Sequence, residues 1–184
     1  MIGARGARLA FIAAVIAAIV IAATVFRSGG PTGAGPVSQI GRAAPSFELM
    51  ALDGAATSPA AYHGRVVLIN LWATWCPPCR AEMPDLQRLY ARYGSLGFVV
   101  LGIDQGESAT RAGAFARALG IRYPILLDPM QRYGAAYTAA GLPTTIVLDR
   151  AGIVRSAFDG PLSYSQMTAA ITPLLGSVPP ARRR

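Results

Sequence analysis

Two cysteines are the residues of this 184-residue chain best suited to chemistry, and they stand three positions apart. Cys76 and Cys79 follow an apolar run and begin a pattern typical of a helix. At this spacing both side chains lie on one helical face, and their Cα atoms come within the distance that a disulfide requires. The free N–H groups and the dipole at a helix start lower the pKa of the first thiol. We therefore expect Cys76 to be the nucleophile and Cys79 to resolve the mixed disulfide formed on it.

Two other interpretations of the cysteine pair must be weighed. A structural disulfide is common in exported proteins, but a bridge that closes so short a loop constrains the unfolded chain little. A zinc site is the second, yet the two cysteines and the single histidine, His63, make at most three ligands, and a closed structural site needs four. The spacing therefore favours redox chemistry and predicts no bound metal.

The segments around the cysteines alternate between strand-like and helix-like patterns. Apolar runs rich in β-branched residues predict strands at residues 46–52, 66–72, 98–103, 123–127, 144–148 and 153–158. Amphipathic patterns predict helices at residues 77–93, 108–119, 130–140 and 163–175. Such alternation indicates an α/β fold, with a mainly parallel sheet that helices cover on both faces. The run Val66–Trp72 is typical of a central strand, so the cysteines should lie at its end.

The N-terminal segment is predicted to be a membrane anchor. Residues 9–26 carry no charge, and as a helix they would be about 27 Å long, close to the thickness of the hydrocarbon core. Arg5 and Arg8 precede this segment, whereas Arg27 alone follows it closely. The positive-inside rule then places the N-terminus in the cytoplasm and the rest of the chain outside the cell membrane. A cleaved signal peptide is the alternative.

Composition and charge divide the remainder of the chain. We expect a cytoplasmic N-terminus at residues 1–8, the transmembrane helix at 9–26, a flexible Gly/Pro linker at 27–41, a soluble domain at 42–178 and a basic tail at 179–184. The 17 basic residues, all arginine, exceed the 9 acidic ones and give a formal charge of +8. Six of these arginines lie near the termini. The domain itself is nearly neutral, so we expect no nucleic-acid surface and no charge bias that would select a partner.

The residues around the cysteines resemble the thioredoxin superfamily, and specifically its TlpA/ResA-like membrane-anchored thiol-disulfide oxidoreductases. The resemblance rests on VVLINLWATWCPPCRAE at residues 66–82, followed by Met83-Pro84, and extends from Gly41 through GLPTT at residues 141–145 to about Leu175. It implies a thioredoxin-like fold with a mixed, mostly parallel central sheet. It also implies that electrons are exchanged with protein dithiols and disulfides through the CPPC motif, with the Cys76–Cys79 disulfide in place of any cofactor.

The resemblance assigns roles to further residues. Pro143 matches the cis-proline that lies beside the cysteine pair, and a cis bond at Leu142-Pro143 would leave backbone groups of Leu142 free to pair with an extended partner chain. Trp75 is expected to shield Cys76. Glu82 matches an acidic residue near the active site of ResA-like proteins, where a carboxylate could take or hold the proton of Cys79. The residues expected to contact substrate are Trp75, Pro77, Pro78, Leu142 and Pro143.

The chain also departs from related patterns. Asn70 stands where thioredoxins carry a buried aspartate, so proton transfer would have to use Glu82 or water. The segment Ala44-Pro45-Ser46-Phe47 also resembles the opening of a peroxiredoxin, but the PxxxTxxC pattern of that family is absent. A thiol peroxidase and a non-enzymatic metal-delivery or binding domain are the alternative functions.

The residues between the cysteines indicate the direction of electron flow. Pro77 and Pro78 lack an N–H, so two donors that could stabilise the Cys76 thiolate are missing. A less stabilised reduced form is a stronger reductant. We therefore expect a reductant of exported proteins such as apocytochrome c, kept reduced by a membrane electron donor of the DsbD/CcdA kind.

Overall fold

The structure is a computed structural model that describes residues 39–176. The predicted N-terminus at 1–8, transmembrane helix at 9–26 and tail at 179–184 lie outside the described residues, as does the linker up to residue 38. Within residues 39–176, no helix is both long and apolar enough to cross a membrane.

In this part of the chain a single sheet of seven strands is flanked by α-helices. The strands are β1 (Leu49–Ala51), β2 (Ala56–Thr57), β3 (Val66–Trp72), β4 (Phe98–Gln105), β5 (Ile125–Asp128), β6 (Thr144–Leu148) and β7 (Val154–Asp159). The helices are α1 (Pro77–Tyr93), α2 (Ala109–Ala118), α3 (Arg132–Ala136) and α4 (Tyr164–Leu175), with short 3-10 helices at Pro59–Tyr62 and Gly94–Leu96. The strand order is β2-β1-β5-β4-β3-β6-β7.

The sheet is mixed rather than mostly parallel, so the expectation of a mainly parallel sheet was wrong. β4 pairs in parallel with β3 and with β5, whereas the β1–β2, β1–β5, β3–β6 and β6–β7 pairs are antiparallel. The short turns after β1 and β6 return the chain antiparallel, because a parallel neighbour needs a long crossover. After β5 the chain crosses to the far side of β3 before it enters β6. The alternation of strands and helices does not predict whether such a strand runs parallel or antiparallel to its neighbour.

One predicted helix is too long. The pattern at residues 130–140 predicts a helix over all of them, but α3 spans only Arg132–Ala136. Thr138 has a φ of 54°, in the left-handed region, and this conformation does not continue a helix. Tyr133 and Tyr137 are one helical turn apart, a spacing typical of the inward face of a helix. They are fully buried and stack with ring centroids 6.3 Å apart.

β3 is the central strand, as predicted, and all seven of its residues are buried. Its side chains alternate between the two faces of the sheet: Leu68 and Trp72 pack with α1, α2 and α4, whereas Ile69 and Leu71 pack on the face covered by α3. The carboxyl ends of β3 and β4 meet the start of β6 at one edge. The loops at residues 73–75, 106–108 and 141–143 leave the sheet at this edge, which therefore positions the candidate site.

Candidate active site

Cys76 and Cys79 form a disulfide at the first turn of α1. Their sulfur atoms are 2.01 Å apart and their Cα atoms 5.3 Å apart. Cys76 is the N-cap of the helix, as the sequence predicts, and its Sγ accepts a hydrogen bond from the N–H of Cys79 at 3.2 Å. Cys76 keeps 3% of its surface exposed, whereas Cys79 has none. Cys76 is therefore the sulfur that a partner protein can reach first.

Pro77 and Pro78 fill the first two positions of α1. The helix loses little by this, because the N–H groups of its first turn have no partner inside the helix. The two prolines instead limit the hydrogen bonds that Cys76 can accept. Of the three residues that follow Cys76, only Cys79 has an N–H, and this N–H donates to the Cys76 sulfur. The helix start thus offers a Cys76 thiolate one backbone donor from its first turn.

Trp75 stands immediately before Cys76, and 65% of its surface is exposed. Together with Leu142 it lines a groove of about 640 Å³, whose remaining walls come largely from residues 130–139. Met130, 77% exposed, adds a second apolar side chain. Among the described residues, no charged side chain lines this groove. The surface next to Cys76 therefore suits uncharged side chains of a partner.

The loop before β6 lies at the same sheet edge as the cysteines. Its Leu142-Pro143 peptide bond is cis, as the resemblance implies. Thr144, the next residue, pairs with Leu71 near the end of β3. The carbonyl of Pro143 accepts a hydrogen bond from the N–H of Gly160 at 2.9 Å, whereas Leu142 makes no backbone hydrogen bond to any residue between 39 and 176. The backbone of Leu142 is thus free to pair with another chain.

Glu82 lies one helical turn beyond Cys79 on α1 and is only 4% exposed. Its Oε1 accepts a hydrogen bond from Nδ2 of Asn70 at 2.7 Å, and its Oε2 accepts one from the N–H of Leu162 at 3.0 Å. Burial raises the pKa of Glu82 from 4.5 to about 7, although the two hydrogen bonds act to lower it. This carboxyl can therefore bind or release a proton near neutral pH, beside the turn that carries Cys79.

Asn70 is fully buried on β3 and holds Glu82 in place. An amide does not exchange a proton in this pH range, so it cannot act as the base that an aspartate could be. Its Nδ2 also lies 3.4 Å from Oγ1 of Thr145 on β6. The alternation of β3 predicts that Asn70 shares a face with Leu68 and Trp72, but no local pattern predicts its bond to Glu82.

A second carboxyl group at this edge, Glu107, was missed by the sequence analysis. Its Oε2 accepts a hydrogen bond from the N–H of Thr74 at 2.5 Å, and its Oε1 accepts one from the Thr74 hydroxyl at 2.7 Å. The N–H of Glu107 donates to Oδ1 of Asp104, a fully buried residue of β4, at 2.8 Å. The sequence offers only a weak signal: Asp104 comes directly after the apolar run at residues 98–103, and Glu107 follows three residues later. In the structure, Trp72 of β3 and Asp104 of β4 are register partners.

His63 lies far from the cysteines in the topology. It is exposed, and its Nε2 lies against Gly152 in the turn after β6, at the opposite edge of the sheet. Within the described part of the chain, no three His, Cys, Asp or Glu side chains are grouped so that they could hold a metal ion.

The sheet order and the position of the disulfide at the start of α1 together define a thioredoxin-like thiol-disulfide oxidoreductase. Comparison with known proteins supports this class. The model of the AhpC/TSA family matches residues 40–157. The thiol-disulfide oxidoreductase ResA of Geobacillus thermodenitrificans is 35% identical over 124 residues, which cover 67% of this chain and 71% of the relative.

Two solved structures extend the comparison. The thiol:disulfide interchange protein of the thioredoxin family from Chlorobium tepidum is 31% identical, with a TM-score of 0.66, and the match covers 77% of this chain and 97% of that one. A secreted thiol-disulfide isomerase from Corynebacterium glutamicum is 28% identical, with a TM-score of 0.67 and coverage of 73% and 86%. The chain belongs to the AhpC/TSA family of thioredoxin-like proteins, and the relatives named ResA are thiol-disulfide oxidoreductases.

Proposed function

We propose that this chain is an exported, membrane-anchored reductant of protein disulfides that acts through Cys76 and Cys79. The observation that carries the proposal is the different placement of the two sulfurs. Cys76 caps α1 and keeps 3% of its surface exposed, whereas Cys79 is completely buried one turn further on. A partner disulfide can then react at Cys76, and Cys79 can react only with a sulfur already joined to Cys76.

The two cysteines divide the reaction into two exchanges. The Cys76 thiolate of the reduced protein attacks one sulfur of the partner's disulfide, and the other partner sulfur leaves as a thiolate that takes up a proton. Cys79 then loses its proton and attacks the Cys76 sulfur, which forms the Cys76–Cys79 disulfide and releases the second partner thiol. Two electrons pass to the partner, and the structure holds the oxidised product of this sequence.

Glu82 serves as the proton acceptor for Cys79 in the second exchange. Cys79 is shielded from solvent, so its proton needs an acceptor inside the protein. A carboxyl with a pKa of about 7 is suited to take that proton and later return it. General acid–base catalysis is most efficient when the pKa of the catalytic group lies near the ambient pH. Asn70 and the Leu162 N–H fix the carboxyl and leave proton transfer to Glu82 itself.

The partner binds beside Cys76 as an extended segment. Its backbone pairs with the free backbone of Leu142, and residues near its cysteine lie against Trp75, Pro77 and Pro78. Pro143 holds the Leu142 loop against the sheet through its hydrogen bond to Gly160. This arrangement gives affinity through main-chain bonds and accepts a range of partner sequences.

Pro77 and Pro78 favour the reducing direction, because they remove two donors that would stabilise the Cys76 thiolate. The electrons come from a membrane donor of the DsbD/CcdA kind and pass to exported proteins such as apocytochrome c. The predicted anchor at residues 9–26 supports this location, and the relatives named thiol-disulfide oxidoreductases support the exchange of electrons with protein disulfides. A measured reduction potential well below the value of about −120 mV of the oxidant DsbA is expected, and a value near it would contradict the reducing role.

Reduction of insulin in the presence of dithiothreitol tests the activity. The wild-type protein should accelerate insulin precipitation, and Cys76→Ser should abolish the acceleration. Parallel measurement of peroxide consumption addresses the thiol peroxidase alternative, since residues 44–47 lie within the AhpC/TSA match. Rapid Cys76-dependent peroxide consumption without insulin reduction would replace the proposed function with that of a peroxidase.

A further inference from the structure

The loop that joins β3 to α1 is attached to the β4–α2 loop by two hydrogen bonds. Residues 73–75 carry the chain from the buried end of β3 to Cys76. Within this loop Thr74 gives both its N–H and its hydroxyl to the two carboxylate oxygens of Glu107, at 2.5 and 2.7 Å. Thr74 is half-buried, whereas the next residue, Trp75, is mostly exposed. Thr74 is therefore the point at which the loop is attached to the rest of the fold.

Glu107 is itself held from three sides. Its N–H donates to Oδ1 of Asp104, its Oε1 lies 3.6 Å from Nη1 of Arg111, and its side chain is only 6% exposed. Gly106, with a φ of +94°, turns the chain between Asp104 and Glu107. Hydrogen bonds to a charged group inside a protein are stronger than neutral ones, so the carboxylate is a stiff anchor.

We propose that Glu107, supported by Asp104, is a positioning residue for thiol-disulfide exchange: its carboxylate fixes Thr74 and thereby places Trp75 and Cys76. The inference rests on the proposed function, because it concerns the same reaction. It assigns a task to two acids that the cysteine chemistry leaves unused. Neither Glu107 nor Asp104 contacts the reacting sulfurs; both act through the loop.

The charges around Glu107 make its hydrogen bonds to Thr74 sensitive to protonation. Asp104 faces Glu107 from β4, and its Oδ2 has no hydrogen-bond partner among the described residues. Asp128 of β5 lies near Asp104, and Arg132 of α3 lies 4.0 Å from Asp128. Arg111 of α2 faces Glu107. Burial and the negative charges of Glu107 and the nearby Asp128 raise the pKa of Asp104 to about 7. Burial opposes ionisation of Glu107, but the bonds from Thr74 and the charge of Arg111 bring its pKa below the usual range.

The acid pair therefore carries one proton below neutral pH, on Asp104, and its single negative charge on Glu107. Above neutral pH both acids are ionised, and their repulsion weakens the hold of Glu107 on Thr74. Asp104→Asn mimics the protonated acid at every pH, because the amide is neutral and can donate to Glu107. Thr74→Val removes the hydroxyl bond while it keeps the shape of the side chain and leaves the acid pair intact.

The test is the rate of alkylation of Cys76 by iodoacetamide in the reduced protein, measured against pH together with insulin reduction. Glu107→Gln and Thr74→Val should each lower the rate of insulin reduction by about tenfold and shift the pH midpoint of Cys76 alkylation. The rate of insulin reduction by Asp104→Asn, divided by the wild-type rate, should be near one at about pH 6 and should be larger at about pH 8. The ratio removes the part of the pH dependence that both proteins share, and a role of Asp104 in folding alone would not make it vary with pH.

Asp85→Asn, which removes a half-buried acid of α1 that pairs with Arg88, is the matched control and should behave as the wild type. If Glu107→Gln does not fold, Thr74→Val decides the question from the other end of the same bond. Wild-type alkylation profiles and insulin rates in folded Glu107→Gln or in Thr74→Val, together with an Asp104→Asn ratio that is constant with pH, would overturn the proposal. A wild-type protein that fails to reduce insulin would refute the proposed function. The pH profiles of Cys76 alkylation would then still test whether Glu107 positions Cys76.

Discussion

Glu82 shows how the surroundings of one residue set its chemistry. Its spacing from Cys79 predicts that both share the inward face of α1, and both are indeed buried. The sequence does not show what holds the carboxyl, since Asn70 and Leu162 lie 12 and 80 positions away along the chain. The same limit applies to Glu107, whose bond to Thr74 joins two loops 33 positions apart. Patterns along the chain predict the face of a side chain, whereas contacts between elements set its pKa and its partners.

Glu82→Gln should slow the second exchange, in which Cys79 displaces the partner. The amide cannot accept the Cys79 proton, so the release of a mixed disulfide preformed on Cys76 should slow by about a hundredfold. Stopped-flow measurement of that release gives the rate. Asp85→Asn on the same helix should leave it unchanged, and an unaltered rate in folded Glu82→Gln would rule out the role of proton acceptor.

The raised pKa of Glu82 also predicts how stability depends on pH. Between about pH 4.5 and 7 the folded protein keeps a proton on Glu82 that the unfolded chain releases. The free energy of unfolding should therefore fall as the pH rises through this range, by up to about 3 kcal/mol from this residue. Urea unfolding at several pH values should show a smaller fall for Glu82→Gln than for the wild type. Equal pH slopes would show that Glu82 titrates normally.

The elements bring these side chains together at one sheet edge, and most of them could be predicted. α1 begins and ends where the pattern places it, and β3 is central because seven successive residues can be buried on both faces. The direction of β6 was not predictable, since it depends on the path the chain takes after β5. α4 matters to the site because the residue just before it, Leu162, donates its N–H to Glu82.

The start of α4 is fixed by a capping box. The Ser163 hydroxyl accepts a hydrogen bond from the Gln166 N–H at 3.3 Å, and the Gln166 side chain accepts one from the Ser163 N–H at 2.9 Å. Ser163→Ala should lower the free energy of unfolding by about 1 kcal/mol, as loss of an N-cap does. Chemical denaturation measures this, with Ser95→Ala as an exposed control. A loss no larger than that of the control would contradict the role of the cap.

Over the whole molecule, burial changes the balance of charge that the sequence suggests. Residues 39–176 contain 11 arginines, none of them buried, and 9 acids. The side chains of Glu82, Asp104, Asp128 and Glu107 are nearly or completely buried, so only five acids reach the surface. Among the described residues, arginines therefore outnumber acids at the surface by more than the sequence count suggests. The four buried acids add no charged group to the surface, and composition alone does not show which acids are buried.

The positive surface predicts a preference among partners. Of two disulfide peptides that differ only in flanking Asp or Arg residues, the acidic one should be reduced faster, by about tenfold at low ionic strength. The difference should shrink as salt screens the charges. Arg80→Gln combined with Arg117→Gln should reduce it as well. Equal rates for both peptides at low ionic strength would show that the net surface charge does not steer partners.

The central claim is that a partner sulfur joins Cys76 and that Cys79 removes it, and covalent trapping tests this most directly. Reduced Cys79→Ala protein, mixed with a disulfide substrate, should form an adduct that dithiothreitol cleaves and that mass spectrometry locates on Cys76. Reduced Cys76→Ser should form no such adduct, because Cys79 is buried. Adducts on Cys79 of the Cys76→Ser protein, at the rate and yield of the Cys79→Ala protein, would contradict the account.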